Sequence, residues 1–179
     1  PEGTAPRDDP SQLHPREHHT AWVAFMKTYL RERAARGFFL ERASPGYMRY
    51  SVSFLQDLYD YVEDAELKRL AGMFLDLVWA EWAQDEIGGA RGGAKTRDHG
   101  PLLDFQQDAM YQMATYLFGG PARYSTQLAS FWLTDYRPPA VVWNLALHRT
   151  ALGSYAYASH TPGEEPAVAP RPAGLERTL

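Results

Sequence analysis

The run Ala65–Ile87 limits the fold most strongly, because Leu67, Leu70, Ala71, Phe74, Leu75, Val78 and Trp82 recur at the three-and-four spacing of one helical face. Asp64 precedes it as a natural N-cap, and Gly88 and Gly89 follow it. A stripe of that length has to be covered. No other segment shows a convincing period-two strand pattern, so its partners are expected to be helices.

Five further segments supply them. The spacing predicts helix one over Arg16–Gly37, with Trp22, Phe25, Met26, Tyr29 and Leu30 on its apolar line, and helix two over Pro45–Val62, with Met48, Val52, Leu55, Tyr59 and Val62. Helix four is predicted over Leu103–Phe118 (Phe105, Ala109, Met113, Tyr116, Leu117), helix five over Ala122–Leu133 (Tyr124, Leu128, Phe131, Trp132) and helix six over Pro139–Thr150 (Val142, Leu145, Ala146, Arg149), with His148 packed beside that last line. Glu63–Asp64 and Gly119–Pro121 are clipped connections. The expected fold is therefore all-α, built of antiparallel helical hairpins, with an irregular segment at 1–15, a helical domain at 16–153 and a proline-rich tail at 154–179.

Composition removes several function classes. With 179 residues, 45% of them apolar, the chain can bury one sizeable core, and its formal charge of −4 argues against a nucleic-acid partner, which would call for a broad basic face. The absence of cysteine excludes disulfides, thiolate catalysis and cysteine-ligated zinc. No apolar run is long enough for membrane insertion, and PEGTAPRDDP has neither an initiator methionine nor a signal-peptide core, so the chain reads as processed or excerpted. His14, His18 and His19 lie at a helix start with no carboxylate pattern beside them, and no metal or other cofactor is expected.

The chemistry concentrates in Gly88–Pro101, GGARGGAKTRDHGP. Its glycines let backbone approach a ligand closely, and Arg91, Lys95 and Arg97 offer charge-assisted donors suited to carboxylate, sulfate or phosphate. The run is no phosphate loop: it lacks the GxxxxGK[ST] register and follows a helix instead of a strand. In an up-and-down array the first and third connections emerge at one end, which would bring Glu41, Arg42, Tyr47 and Tyr50 toward Arg91, Lys95, Arg97, Asp98 and His99, with Asp135, Tyr136 and Arg137 at the margin.

Over Glu41–Arg97 the chain resembles the (α/α) toroid domains of polysaccharide-degrading enzymes, particularly the heparinase- and alginate-lyase-like group. The resemblance is carried by Ser44–Pro45–Gly46–Tyr47, by the helix start DAELKRLA at Asp64–Ala71, and by the Arg/Lys loop after helix three. It implies a partial toroid, an acidic polysaccharide as partner, a β-sandwich domain following in a longer parent chain, and an extracellular or periplasmic location. It also implies β-elimination on a uronate, which needs a base for the C5 proton and a cation for the carboxylate. Tyr47, Tyr50 and His99 are then the candidate base or acid, Arg97 the catalytic cation, and Glu41, Arg42, Arg91, Lys95 and Asp98 the substrate-binding set. The family's Asn–His pattern is not evident, since the only asparagine, Asn144, falls in helix six. Two other readings stand beside this one: a toroidal glycoside hydrolase pairing Glu41 with Asp98 or Asp104, and a non-catalytic helical module that holds a glycan or protein.

Overall fold

The computed structural model describes residues 14–37, 43–44, 46–92, 108–120 and 129–154. Within them the chain is all-α, with α1 at Pro15–Arg36, α2 at Met48–Tyr61, α3 at Ala65–Asp85, α4 at Ala109–Phe118, α5 at Ala129–Leu133 and α6 at Ala140–Leu147, followed by a short 3-10 helix at Arg149–Leu152. One departure from an all-helix reading lies between α3 and α4. There β1 (Glu86–Ile87) and β2 (Ala90–Arg91) form a small antiparallel hairpin, so α3 stops at Asp85 and does not run on through Ile87.

The starts and stops follow from local chemistry. Asp64 caps α3 by accepting from the Leu67 amide at 2.8 Å, and Asp108 caps α4 by accepting from the Met110 amide at 2.8 Å. Helix α2 begins at Met48, later than the proline position suggests, because Ser44 closes its first turn. The buried Ser44 Oγ accepts from the Tyr47 amide at 3.1 Å, and its carbonyl accepts from the Met48 amide at 3.2 Å.

Helix α3 is the hub, packing most extensively against α2, α1 and α6. The clipped connection makes α2 and α3 antiparallel, with Tyr59 lying against Gly72, where a Cβ would meet the ring at 3.1 Å. Around Trp79, fully buried, the core is aromatic: its ring meets Trp82, Phe118 and Phe131 edge-on at 5.8, 5.8 and 6.2 Å. Trp82 stacks nearly parallel on Phe118, centroids 5.7 Å apart. Removing a ring such as Trp79 from this cluster would cost about 3–5 kcal/mol through lost burial and the cavity left behind.

The stripes of helices two and three are buried largely as their spacing predicts, and the stripe of helix one is not. Val23, Met26 and Leu30 are its buried positions, whereas Trp22 and Phe25 face outward at 41% and 61% exposure. Tyr116 and Trp132 are likewise exposed, and His148 is exposed where a packed position is expected. Tyr136 is buried away from any margin: its hydroxyl donates to Asp76 at 3.0 Å, and its ring meets Tyr59 edge-on at 5.7 Å. Thr134 donates to Asp60 at 2.9 Å, so Thr134–Tyr136 bind the chain before α6 to the α2–α3 pair. Among the described residues no helix is long and apolar enough to cross a membrane.

Candidate functional site

The hairpin after α3 is built around its two central glycines. Gly88 and Gly89 have φ of 61° and 86°, the double positive φ that a two-residue type I′ connection requires. Gly89 is also sterically closed to a side chain, since a Cβ there would lie 3.1 Å from the Tyr111 ring. The start of the glycine-rich run is thus a fixed turn with a defined register, Ile87 opposite Ala90 and Glu86 opposite Arg91.

One arginine holds the hairpin to the helices. Arg149 Nη2 donates to the Ala83 carbonyl at 2.6 Å, to the Glu86 carbonyl at 3.0 Å and to Glu86 Oε1 at 2.9 Å, while Nη1 reaches the Gln84 carbonyl at 3.2 Å. The last turn of a helix leaves carbonyls unpaired and carries partial negative charge, so a guanidinium there satisfies both needs. Glu86 passes the restraint on, its Oε2 accepting from the Gly89 amide at 2.7 Å. The chain from α3 into the turn is therefore fixed by Arg149, Glu86 and Gly89 in series.

Beside the turn lies a cavity of about 300 Å³ lined by Trp82, Tyr111, Thr115, Phe118, the Gly88–Gly89 backbone and Glu86, with Gly119–Gly120 and Ala146–Leu147 closing it. Its walls are aromatic and small, and the Glu86 carboxylate already has a partner on each oxygen. That is a surface suited to the face of a sugar ring or another flat group.

Tyr47 and Tyr50 belong to the same end of the molecule. Counting about three helical turns from the Tyr59–Gly72 contact toward the start of α2 and the end of α3 brings Met48 level with Ala83. The two tyrosine rings are 6.5 Å apart, and Tyr50 is 60% exposed. Arg49 adds a feature that spacing did not single out: its Nη2 donates to the Tyr50 hydroxyl at 2.6 Å, and its guanidinium carbon lies 4.5 Å from the Tyr50 ring centre. A permanent cation therefore sits on the phenol oxygen.

Of the other candidates, Arg91 is placed, and not as a free donor. It is held to Asp85 at 2.7 Å and its side chain is 14% exposed, so that pairing stabilises the hairpin and draws on the charge assigned above to substrate. Glu41, Arg42, Lys95, Arg97, Asp98 and His99 lie outside the described residues, as does Asp104. Among the described residues no group of three or more histidines and acids comes together that could hold a metal ion. Comparison with family models, curated proteins and solved structures gave no match. The chemistry of this end rests on its own residues.

Proposed function

We propose that this chain is part of an (α/α) toroid that binds an acidic polysaccharide at the hairpin end of α3 and cleaves it by β-elimination at a uronate. The observation that carries the reading is the Arg49–Tyr50 pair, an exposed phenol with a guanidinium on its oxygen at 2.6 Å, at the end of the fold where the Arg/Lys loop leaves β2. In the reaction Tyr50 acts as the phenolate, its own proton having been given up to solvent and the negative oxygen held by the Arg49 guanidinium, and it becomes a neutral phenol as it takes the C5 proton of the uronate. The electron pair left at C5 is delocalised into the carboxylate, where Arg97 and Lys95 of the loop supply positive charge. It then forms the C4–C5 double bond as the C4–oxygen bond breaks, and the leaving oxygen is protonated by Tyr47 or His99. The aromatic cavity beside the turn receives a neighbouring sugar ring.

Among the described residues neither acid at this end is available for hydrolysis, and the hydrolase pair Glu41 with Asp98 or Asp104 lies outside them. Asp85 is paired with Arg91 and Glu86 with Arg149, so neither is free to act as one of two opposed carboxyl groups. The test is ultraviolet absorbance with a panel of homopolymeric and alternating uronate polysaccharides, since elimination creates a conjugated double bond and hydrolysis does not. The native chain should give a rise that Tyr50→Phe lowers by about a hundredfold or more, the scale of a lost general base. New reducing ends without absorbance would move the case to hydrolysis. Salt-sensitive binding with neither signal would leave a binding module.

A further inference from the structure

At the opposite end of the helices, α1 and α2 enclose an open groove of about 460 Å³. Phe54, Asp57, Leu58 and Tyr61 recur at the i, i+3, i+4, i+7 spacing of one helical face and form its α2 wall, while His19 and Trp22, about one turn apart, form its α1 wall. Leu58 is buried and makes the floor, whereas Trp22, Phe54 and Tyr61 are 41%, 43% and 68% exposed. Glu63, just beyond the end of α2, completes the lining next to Val62.

Several rings and carboxylates elsewhere in this fold are matched by the chain's own cations. Tyr29, Tyr50 and Tyr59 carry Arg33, Arg49 and Lys68 at 5.8, 4.5 and 5.0 Å from their ring centres. Asp64 and Glu66 are paired with Lys27, Asp85 with Arg91 and Glu86 with Arg149. The groove has the same ingredients without the cation. Among the described residues neither Asp57 nor Glu63 has a hydrogen-bond or ion-pair partner, and the rings of Trp22, Phe54 and Tyr61 have neither a cation nor another aromatic ring against them.

The lining decides the class of ligand. Two carboxylates against one imidazole repel an anion, and a neutral apolar ligand gains nothing from them. A metal ion does not fit either: His19, Asp57 and Glu63 share the groove without coming together as a metal-binding group. Aromatic faces attract a cation through the negative charge of their π-systems, and they hold best one that gives up its water at little cost. A primary ammonium is compact and strongly hydrated, whereas a quaternary ammonium spreads its charge over alkyl groups that also pack on the rings and on Leu58. Size points to a free small molecule. From Phe54 to Tyr61 the α2 wall runs about 10 Å at ~1.5 Å per residue, room for only about three residues of extended peptide at ~3.3 Å each.

We propose that the Trp22–Phe54–Tyr61 groove binds a small quaternary ammonium compound of the choline type, its alkyl groups against the rings and its charge beside Asp57 and Glu63. The site is independent of the glycan reading, since Glu63 precedes the α3 N-cap and the hairpin follows the other end of that helix.

Choline itself is the probe, and its neutral isostere, with a quaternary carbon in place of the nitrogen, is the control. In ¹H–¹⁵N spectra of the full chain at constant ionic strength, choline should shift the Trp22 indole signal saturably, that signal being assigned by its loss in Trp22→Phe. The isostere has the same shape without the charge and should bind at least about tenfold more weakly. Asp57→Asn combined with Glu63→Gln should weaken choline by about fivefold and leave the isostere unchanged. Both side chains are exposed, so the double variant should keep the fold. Equal affinity for the two probes, or a Trp22 indole that choline leaves unmoved, would overturn the proposal. Binding of a trimethyllysine peptide without binding of choline would assign the groove to a protein partner and overturn it too.

Discussion

At its N-terminus α3 is stitched to α1 by side chains that stay near solvent. Lys27 bonds Asp64 at 2.8 Å and lies 3.1 Å from Glu66, and Arg31 also bonds Glu66. At its C-terminus one guanidinium from beyond α6 gathers the Ala83, Gln84 and Glu86 carbonyls together with the Glu86 carboxylate, and the chain then turns through Gly88–Gly89 into the Arg/Lys loop. The first end is held by replaceable surface pairs across a clipped turn. The second is held by one group that several backbone atoms share, beside an aromatic cavity and at the same end of the helices as an arginine-bonded tyrosine. The difference teaches where an anionic ligand is to be sought: at the first end Lys27 and Arg31 are taken up by Asp64 and Glu66, and the second spends its restraint on fixing the base of a loop.

The largest effect expected from breaking this contrast is Arg149→Met, which keeps the stem and removes every donor. It strands three carbonyls and a carboxylate and should cost about 2–4 kcal/mol in urea denaturation. Lys27→Met at the other end should shift the midpoint far less, and its small effect should fade with added salt. Next in size is Gly89→Ala, which forces a Cβ onto a φ of 86° and against Tyr111 at 3.1 Å, with an expected cost of about 1–2 kcal/mol. Gly88→Asn sharpens the comparison, because Gly88 has φ 61° with open space around its Cβ position and asparagine tolerates that region. It should be nearly silent.

The smallest effect is in pH dependence. The hydrogen bond from Lys27 holds both Asp64 and Glu66 below the usual carboxylate range, so the stability they give is present above the unfolded values and is lost as pH falls through the folded ones, below about pH 4. Burial pushes Asp76 up, against the hydrogen bond from Tyr136, and its sign is opposite. Its contribution is favourable below its unfolded value and is lost as pH rises through the raised folded value. Asp76→Asn keeps an acceptor for Tyr136 and removes the charge. Its thermal midpoint relative to the native chain should therefore be higher at neutral pH than in acid.

Much of the helical frame was legible because it depends on periodicity alone. The α3 stripe, the Asp64 cap and the clipped α2–α3 connection all follow from side-chain type and spacing. The outward turn of Trp22 and Phe25 was not legible, since an apolar side chain on a helix gives no sign of which neighbour is missing. The hairpin was hidden by brevity: two-residue strands carry no alternation, and only the Gly-Gly pair flanked by Ile87 and Ala90 signals the turn. Arg149 left a clearer trace, a guanidinium on the otherwise apolar line of helix six, which is where a buried set of acceptors should have been sought. Arg49 left none, because its neighbour in sequence becomes its hydrogen-bond partner only through the rotamers at the start of α2.

The most direct test of the central claim uses the chain's five tryptophans, whose indole N–H signals report on different places in the fold. Trp82 lines the cavity beside the hairpin, and Trp22 lines the groove at the other end. In a ¹H–¹⁵N titration with a uronate oligosaccharide, the account predicts that the Trp82 indole shifts or broadens while the Trp22 indole stays fixed. A shift at Trp22 with none at Trp82 would contradict it and move the ligand to the opposite end of α3.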